Sequence, residues 1–256
     1  MKLTATFYDL NGASVFITGG GSGIGAYLTE GFLQQGAKVA FVQRSDATAF
    51  CDEMEAKHGA RPLFMKCDIT DVAALRDCVA RASAAHGTIT RLINNAANDE
   101  RHDTMAVDEE YFDWAIAINF KAYFFACQAV IPGMLAAGGG AIVNFSSVSY
   151  MMGNGAYPLY TGSNAGIMGM TRSLARDYGK DGIRANSLMP GWVLTERQLQ
   201  LWGDPEKLAA HLARQCIPEH LKPEDVVETT LFLASDASRM MTSQAVVVDG
   251  GVAVTG

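Results

Sequence analysis

The chain has 256 residues, a hydrophobic share of 49% and a formal net charge of −7, which suits one large α/β domain with its own core and excludes a disordered chain. The acidic balance argues against nucleic acid or an anionic membrane as the main partner. No uninterrupted apolar run approaches the roughly 20 residues of a membrane span, and no signal peptide is read at the start. With five cysteines, none in a Cys-x-x-Cys pair, reduced thiols and a cytoplasmic location are expected.

β-Branched runs alternate with amphipathic stretches, which predicts a parallel sheet with crossover helices. A strand over 14–18 leads into a helix over 23–35, closed by Gly36. A strand over 38–42 and a helix over 46–58 follow, the helix starting at the acidic Asp46 and stopping at Gly59. Next come a strand over 62–66, a helix over 71–86 capped by Asp71, and a strand over 91–94. The apolar stretch 111–137 reads as a long helix broken near Pro132-Gly133. A strand over 141–145 and a helix over 160–178 surround the glycine-rich Gly153-Asn154-Gly155. A strand over 183–188, a helical insertion over 196–215, a helix over 223–233 and a strand over 245–248 complete the chain. About seven parallel strands with helices on both faces make a doubly wound Rossmann fold of the α/β class. A single domain over 1–256 is expected, with a substrate-side insertion about 191–216.

Thr18-Gly19-Gly20-Gly21-Ser22-Gly23-Ile24-Gly25 lies between the first strand and the first helix. Glycines there let the backbone approach a pyrophosphate at the helix N-terminus, so dinucleotide binding is expected. The second strand ends in Gln43-Arg44-Ser45. An acidic residue at this place would bond a ribose 2′-hydroxyl; Arg44 instead offers planar donors to a 2′-phosphate. NADP is favoured on that rule, and a solvated Arg44 with NAD use is the alternative.

These motifs, with Cys67-Asp68-Ile69, Asn94-Asn95-Ala96-Ala97, Ile118-Asn119-Phe120, Ser147, Tyr160 and Val248-Asp249-Gly250-Gly251, resemble the short-chain dehydrogenase/reductase family over roughly 10–251. The resemblance implies catalytic roles for Asn119, Ser147, Tyr160 and the residue at Asn164. It implies cofactor contacts at Gly19, Ser22, Gly23, Ile24, Gly25, Asp68, Ile69, Asn95 and Ala96. Tyr160 and Asn164 would also meet the cofactor, as would Pro190, Gly191, Val193 and Thr195. It further implies a homotetramer built through the long helices and the last strand.

The chain departs from the family at one place: the lysine of Tyr-x-x-x-Lys is Asn164. A free tyrosine has a pKa near ~10. An ammonium ~5 Å away in an effective dielectric of ~20 favours the phenolate by about 3 kcal/mol, roughly two pKa units. Asparagine can bond ribose hydroxyls and supplies no charge. Oxidation should be slower by about 10²-fold and favour alkaline pH. Lys121 is a poor substitute, because positions two apart on a helix do not share a face. A weakened enzyme, a non-catalytic descendant and a deliberate substitution all fit Asn164.

On the substrate side, Asn98-Asp99-Glu100-Arg101-His102 is a polar run after the fourth strand. It is similar to a stretch of bacterial aldose 1-dehydrogenases of the xylose type, as is the segment from Pro190 to Gln198. Amides, guanidinium groups and an aromatic face recognise polyols. Asn98, Asn154, Arg197 and Trp202, with Ser147 and Tyr160, are therefore the substrate candidates, while Asp99, Glu100 and Arg101 also read as a solvated loop. The expected activity is oxidation of an aldose at C1 to a lactone with NAD(P). Another alcohol dehydrogenase or 3-oxoacyl-type reductase is the enzymatic alternative, and a nucleotide-binding pseudoenzyme is the alternative of another class. The scattered histidines suggest no metal site.

Overall fold

The protein is described from a computed structural model, over residues 1–253. The strands are β1 (Ser14–Thr18), β2 (Lys38–Gln43), β3 (Leu63–Lys66), β4 (Arg91–Asn94), β5 (Gly140–Phe145), β6 (Ile183–Pro190) and β7 (Ala245–Val248). The connecting helices are α1 (Gly23–Gln34), α2 (Thr48–His58), α3 (Val72–His86), α4 (Glu109–Ile116), α5 (Ala122–Ala136) and α6 (Ser149–Met152). After them come α7 (Pro158–Tyr178), α8 (Glu196–Trp202), α9 (Pro205–Leu212) and α10 (Glu224–Ala234). All strand pairings are parallel, in the order β3-β2-β1-β4-β5-β6-β7. The order reverses between β1 and β4, where the carboxyl ends of the strands open a crevice.

Alternation along β1 separates two cores. Val15 and Ile17 join Leu28 and Phe32 of α1 and Val227 and Leu231 of α10 on one face. Phe16 joins Leu75 and Val79 of α3 and Val130 and Met134 of α5 on the other. Both faces of the sheet are covered, so its strands read as continuous apolar runs. One polar row interrupts them. Thr18, Asn94, Asn144 and Ser187 stand in register across β1, β4, β5 and β6 and are all buried. Asn94 donates to Asn144 Oδ1 at 2.9 Å, Asn144 donates to Thr171 Oγ1 of α7 at 2.9 Å, and Ser187 Oγ donates to the Asn144 carbonyl at 2.9 Å.

Several boundaries differ from expectation for physical reasons. Helix α2 begins at Thr48, because the Asp46 carboxylate accepts from Thr48 N at 3.3 Å and Thr48 Oγ1 at 2.7 Å before the helix starts. The long helix does not break at Pro132. That ring faces solvent while its neighbours Val130, Ile131 and Met134 hold α5 in the core. The irregularity lies earlier, where Ala117–Lys121 forms a π turn joining α4 to α5. The 196–215 insertion is two helices. Pro205 cannot continue α8, and Asp204 caps α9 by accepting from Glu206 N at 2.9 Å and Lys207 N at 3.1 Å. The span Glu109–Ala136 is 28 residues and contains an 18-residue stretch with a mean hydropathy of 1.4, long and apolar enough to cross a membrane by composition alone. Its buried residues pack against β4, β5 and α3, which makes it a core helix of this fold.

Candidate active site

A cleft of about 1730 Å³ runs along the carboxyl edge of the sheet and under α8 and α9. Its floor is the turn from β1 into α1. Gly19 has φ +71° and donates its N–H to the Val42 carbonyl at 2.7 Å. A Cβ on Gly25 would lie 1.8 Å from the Gly19 carbonyl oxygen, so only glycine lets α1 start this close to the strand. Ser22 is the N-cap of α1, is exposed, and makes no capping hydrogen bond. The first N–H groups of a 12-residue helix therefore open onto the cleft with Gly23 and Ile24. These features fit a pyrophosphate, whose charge the helix terminus favours. Asn95 braces the turn, donating from Nδ2 to the Thr18 carbonyl at 3.1 Å and the Gly19 carbonyl at 3.2 Å. Thr18 Oγ1 accepts from Ala96 N at 3.1 Å.

Past the turn, Asp68 lines the cleft beside the buried Ile69, one carboxylate oxygen accepting from Thr70 N at 2.9 Å. At the end of β2, Gln43 accepts from Gly21 N at 3.0 Å through Oε1 and donates through Nε2 to Ser45. Arg44 is exposed at the cleft mouth and makes no ion pair among the described residues. Sequence reasoning quoted Gln43 without a role; its amide fixes the corner that presents Arg44.

The chemical groups meet in another part of the same cleft. Helix α7 places Tyr160 and Asn164 four residues apart on one face, and Ser147 follows β5. All three line the cleft. Asn119 and Asn98 stand behind its wall, where Asn119 Oδ1 accepts the Asn98 N–H at 2.8 Å. The π turn aims Asn119 there, a use of wide turns that recurs at functional sites. Asn164 is buried and its Nδ2 donates to the Tyr160 carbonyl at 2.8 Å. Burial pushes the Tyr160 phenol up to about 12, with the nearby Asp99 and Tyr157 adding to the rise. Hydrogen bonding with Ser147 and Asn164 favours the phenolate but is outweighed. Tyr160 is thus a protonated phenol at neutral pH.

The substrate side is roofed by α8 and α9. Thr195 caps α8, accepting from Gln198 N at 3.2 Å. Pro190, Gly191 and Val193 carry the chain from β6 to this roof, and Gly191 N donates to the Val248 carbonyl at 2.9 Å. Arg197 donates to Asp99 at 2.6 Å, Gln198 Nε2 donates to Asp99 at 2.8 Å, and Trp192 Nε1 donates to Gln198 Oε1 at 3.0 Å. Burial works to raise the Asp99 carboxyl, and these donors outweigh it and hold it below the usual carboxylate range. Arg197, expected at the substrate, is thereby engaged with Asp99, whose role the sequence left open between substrate loop and solvent. Asn154 and Trp202 both line the cleft. Tyr157 stacks on Tyr160 with ring centroids 5.5 Å apart.

The fold and this site define a nicotinamide-dependent oxidoreductase, and the chain belongs to the short-chain dehydrogenase/reductase family. A family profile described as "Enoyl-(Acyl carrier protein) reductase" matches residues 19–253. The chain is 45% identical over 251 residues to the "Probable galactose dehydrogenase GalD" of Rhizobium meliloti (strain 1021), covering 97% of this chain and 98% of that protein. It is 41% identical over 249 residues to the D-xylose 1-dehydrogenase of Caulobacter vibrioides, covering 97% and 98%. Among solved structures, a blue fluorescent protein from a metagenomic library in complex with NADPH superposes with a TM-score of 0.88 at 34% identity, covering 96% and 99%.

Proposed function

We propose that this chain oxidises an aldose at C1 to the lactone, with NADP as the hydride acceptor, as a cytoplasmic homotetramer. The carrying observation is that Ser147 and Tyr160 share one cleft with the open α1 terminus and the polar Asp99–Arg197–Gln198 roof. The galactose and xylose dehydrogenases among the relatives support the sugar class. A bound nicotinamide supplies the electron-pair acceptor. Ser147 and Tyr160 hold the C1 hydroxyl, and Tyr160 receives its proton. Because the phenol is raised to about 12, the competent phenolate is scarce at neutral pH.

The exposed Arg44 beside Ser45 supports the 2′-phosphate, and Asp46 is engaged by Thr48. Tetramer formation is supported by the exposed Phe112, Phe124 and Leu135 along the α4–α5 span. The test is formation of reduced nicotinamide with a panel of aldoses and both cofactors. The expected result is turnover of at least one pentose or hexose, faster with NADP. Arg44→Ala should raise the Kd for NADP by roughly 10-fold or more, the worth of a charged hydrogen bond, and leave NAD unchanged. Silence towards all aldoses, with nucleotide binding intact, would reject the sugar assignment.

A further inference from the structure

Arg101 lies between two aromatic rings. Its Cζ stands 3.5 Å from the centroid of the Tyr157 ring and 5.2 Å from that of Trp202. Tyr157 is itself stacked on Tyr160, 5.5 Å away and nearly parallel at 10°. The guanidinium is therefore two stacking steps from the phenol that handles the C1 proton. It lines the same cleft.

The placement is held by backbone rather than by an ion pair. Ala156, with φ +73°, takes a conformation that a non-glycine residue rarely adopts. Its carbonyl accepts the His102 N–H at 2.7 Å. One bond thus fastens the residue before Tyr157 to the residue after Arg101. The His102 ring is fixed in turn by Tyr111, whose hydroxyl lies 3.3 Å from His102 Nδ1.

The Arg101 Nη1 atom is buried without a hydrogen-bond partner among the described residues. The neighbouring carboxylate, Asp99, is taken by Arg197 and Gln198. A desolvated guanidinium nitrogen without an acceptor is unfavourable, and the ring stack leaves its in-plane donors at the edge, pre-aimed with little freedom to lose. We infer that Arg101 is a specificity-determining residue whose guanidinium, lining the cleft, donates to a hydroxyl of the sugar at a carbon remote from C1. This rests on the aldose reading above and adds the residue that sets which sugar fits.

The test uses the full native chain with NADP. KM and kcat are measured for the best aldose and for its single-deoxy analogues, in the native protein, Arg101→Met and Arg101→Lys. Nucleotide affinity in each protein checks folding. Arg101→Met should raise KM by roughly 10- to 100-fold, the worth of a charged hydrogen bond, with kcat changed only a few-fold. Arg101→Lys should recover part of the loss. If Arg101→Met fails to bind nucleotide, Arg101→Lys, which keeps the charge and loses the planar fork, carries the same comparison. The penalty should vanish for the one deoxy sugar that lacks the bonded hydroxyl. Equal penalties across every analogue would overturn the inference in favour of a packing role. A preference for uronates that disappears in Arg101→Met would overturn it in favour of carboxylate recognition. An active native chain with an unaffected Arg101→Met would overturn it alone, whereas a native chain silent towards all aldoses would overturn the sugar reading and this inference together.

Discussion

The Asn164 amide donates to the Tyr160 carbonyl, one turn back on its own helix. The donor thus serves the backbone, and no positive charge at that position offsets the burial of the phenol, which is raised to about 12. A raised phenol remains protonated well above neutrality, so the basic fraction grows about tenfold per pH unit below that value. Oxidation by the native chain should therefore climb steadily from neutral to strongly alkaline pH without a plateau, as read from initial rates of nicotinamide reduction. Asn164→Lys places an ammonium that favours the phenolate. It should increase the neutral-pH rate by about 10²-fold and bring the plateau to lower pH. Gly25→Ala would drive a methyl into the Gly19 carbonyl, 1.8 Å from the built Cβ. Nucleotide affinity by fluorescence titration should fall by at least about 100-fold, with a lower melting temperature. Tyr160, Ser147 and the glycines were legible because each sits inside a short local pattern. Arg101 was not, because its meaning depends on Tyr157 and Trp202, which only the folded chain brings to it.

Among the elements, the roof of α8 and α9 is tied to the loop after β4 by the two donors on Asp99. Removing that acceptor in Asp99→Ala should speed limited proteolysis within 196–212 and raise KM for the sugar by about 10-fold, while nucleotide affinity stays the same. The pH sign follows from the depressed carboxyl: the tie is complete above the unfolded aspartate value of about 4 and is lost as pH falls through the folded one. Proteolysis of the roof should accordingly accelerate in acid in the native chain and be flat with pH in Asp99→Ala. The strands β4 and β7 and the Asp71 cap of α3 follow directly from composition and turn signals. The π turn at Ala117–Lys121 does not, since its residues fit an ordinary helix and tertiary packing sets the extra width. The split between α8 and α9 was readable in Gly203-Asp204-Pro205, where a proline follows a capping acid, but the helical composition on both sides masked it.

At the scale of the molecule, the alternation of strand and helix implied the doubly wound sheet, and the seven strands adopt it. Which surface meets another copy comes only from the family resemblance, which implies the long helices and the last strand. The exposed Phe112, Phe124 and Leu135 make the α4–α5 span the expected contact. Light scattering coupled to size exclusion should return about four times the 27.4 kDa chain mass. Phe124→Glu should shift that mass downward, and an unchanged tetramer would place the contact elsewhere.

The polar row of Thr18, Asn94, Asn144 and Ser187 has a consequence for how the sheet assembles. Apolar strands buried on both faces tolerate a slip of two residues, because the same kinds of side chain return to the same faces. Here such a slip in β5 would carry the Asn144 amide away from Asn94 and Thr171, stranding polar side chains in a dry interior. The row thus acts as an alignment key: the observed offset is the one that joins Asn94 to Asn144 and Asn144 to Thr171, and it is also the one that brings the carboxyl ends of the strands level beneath the cleft.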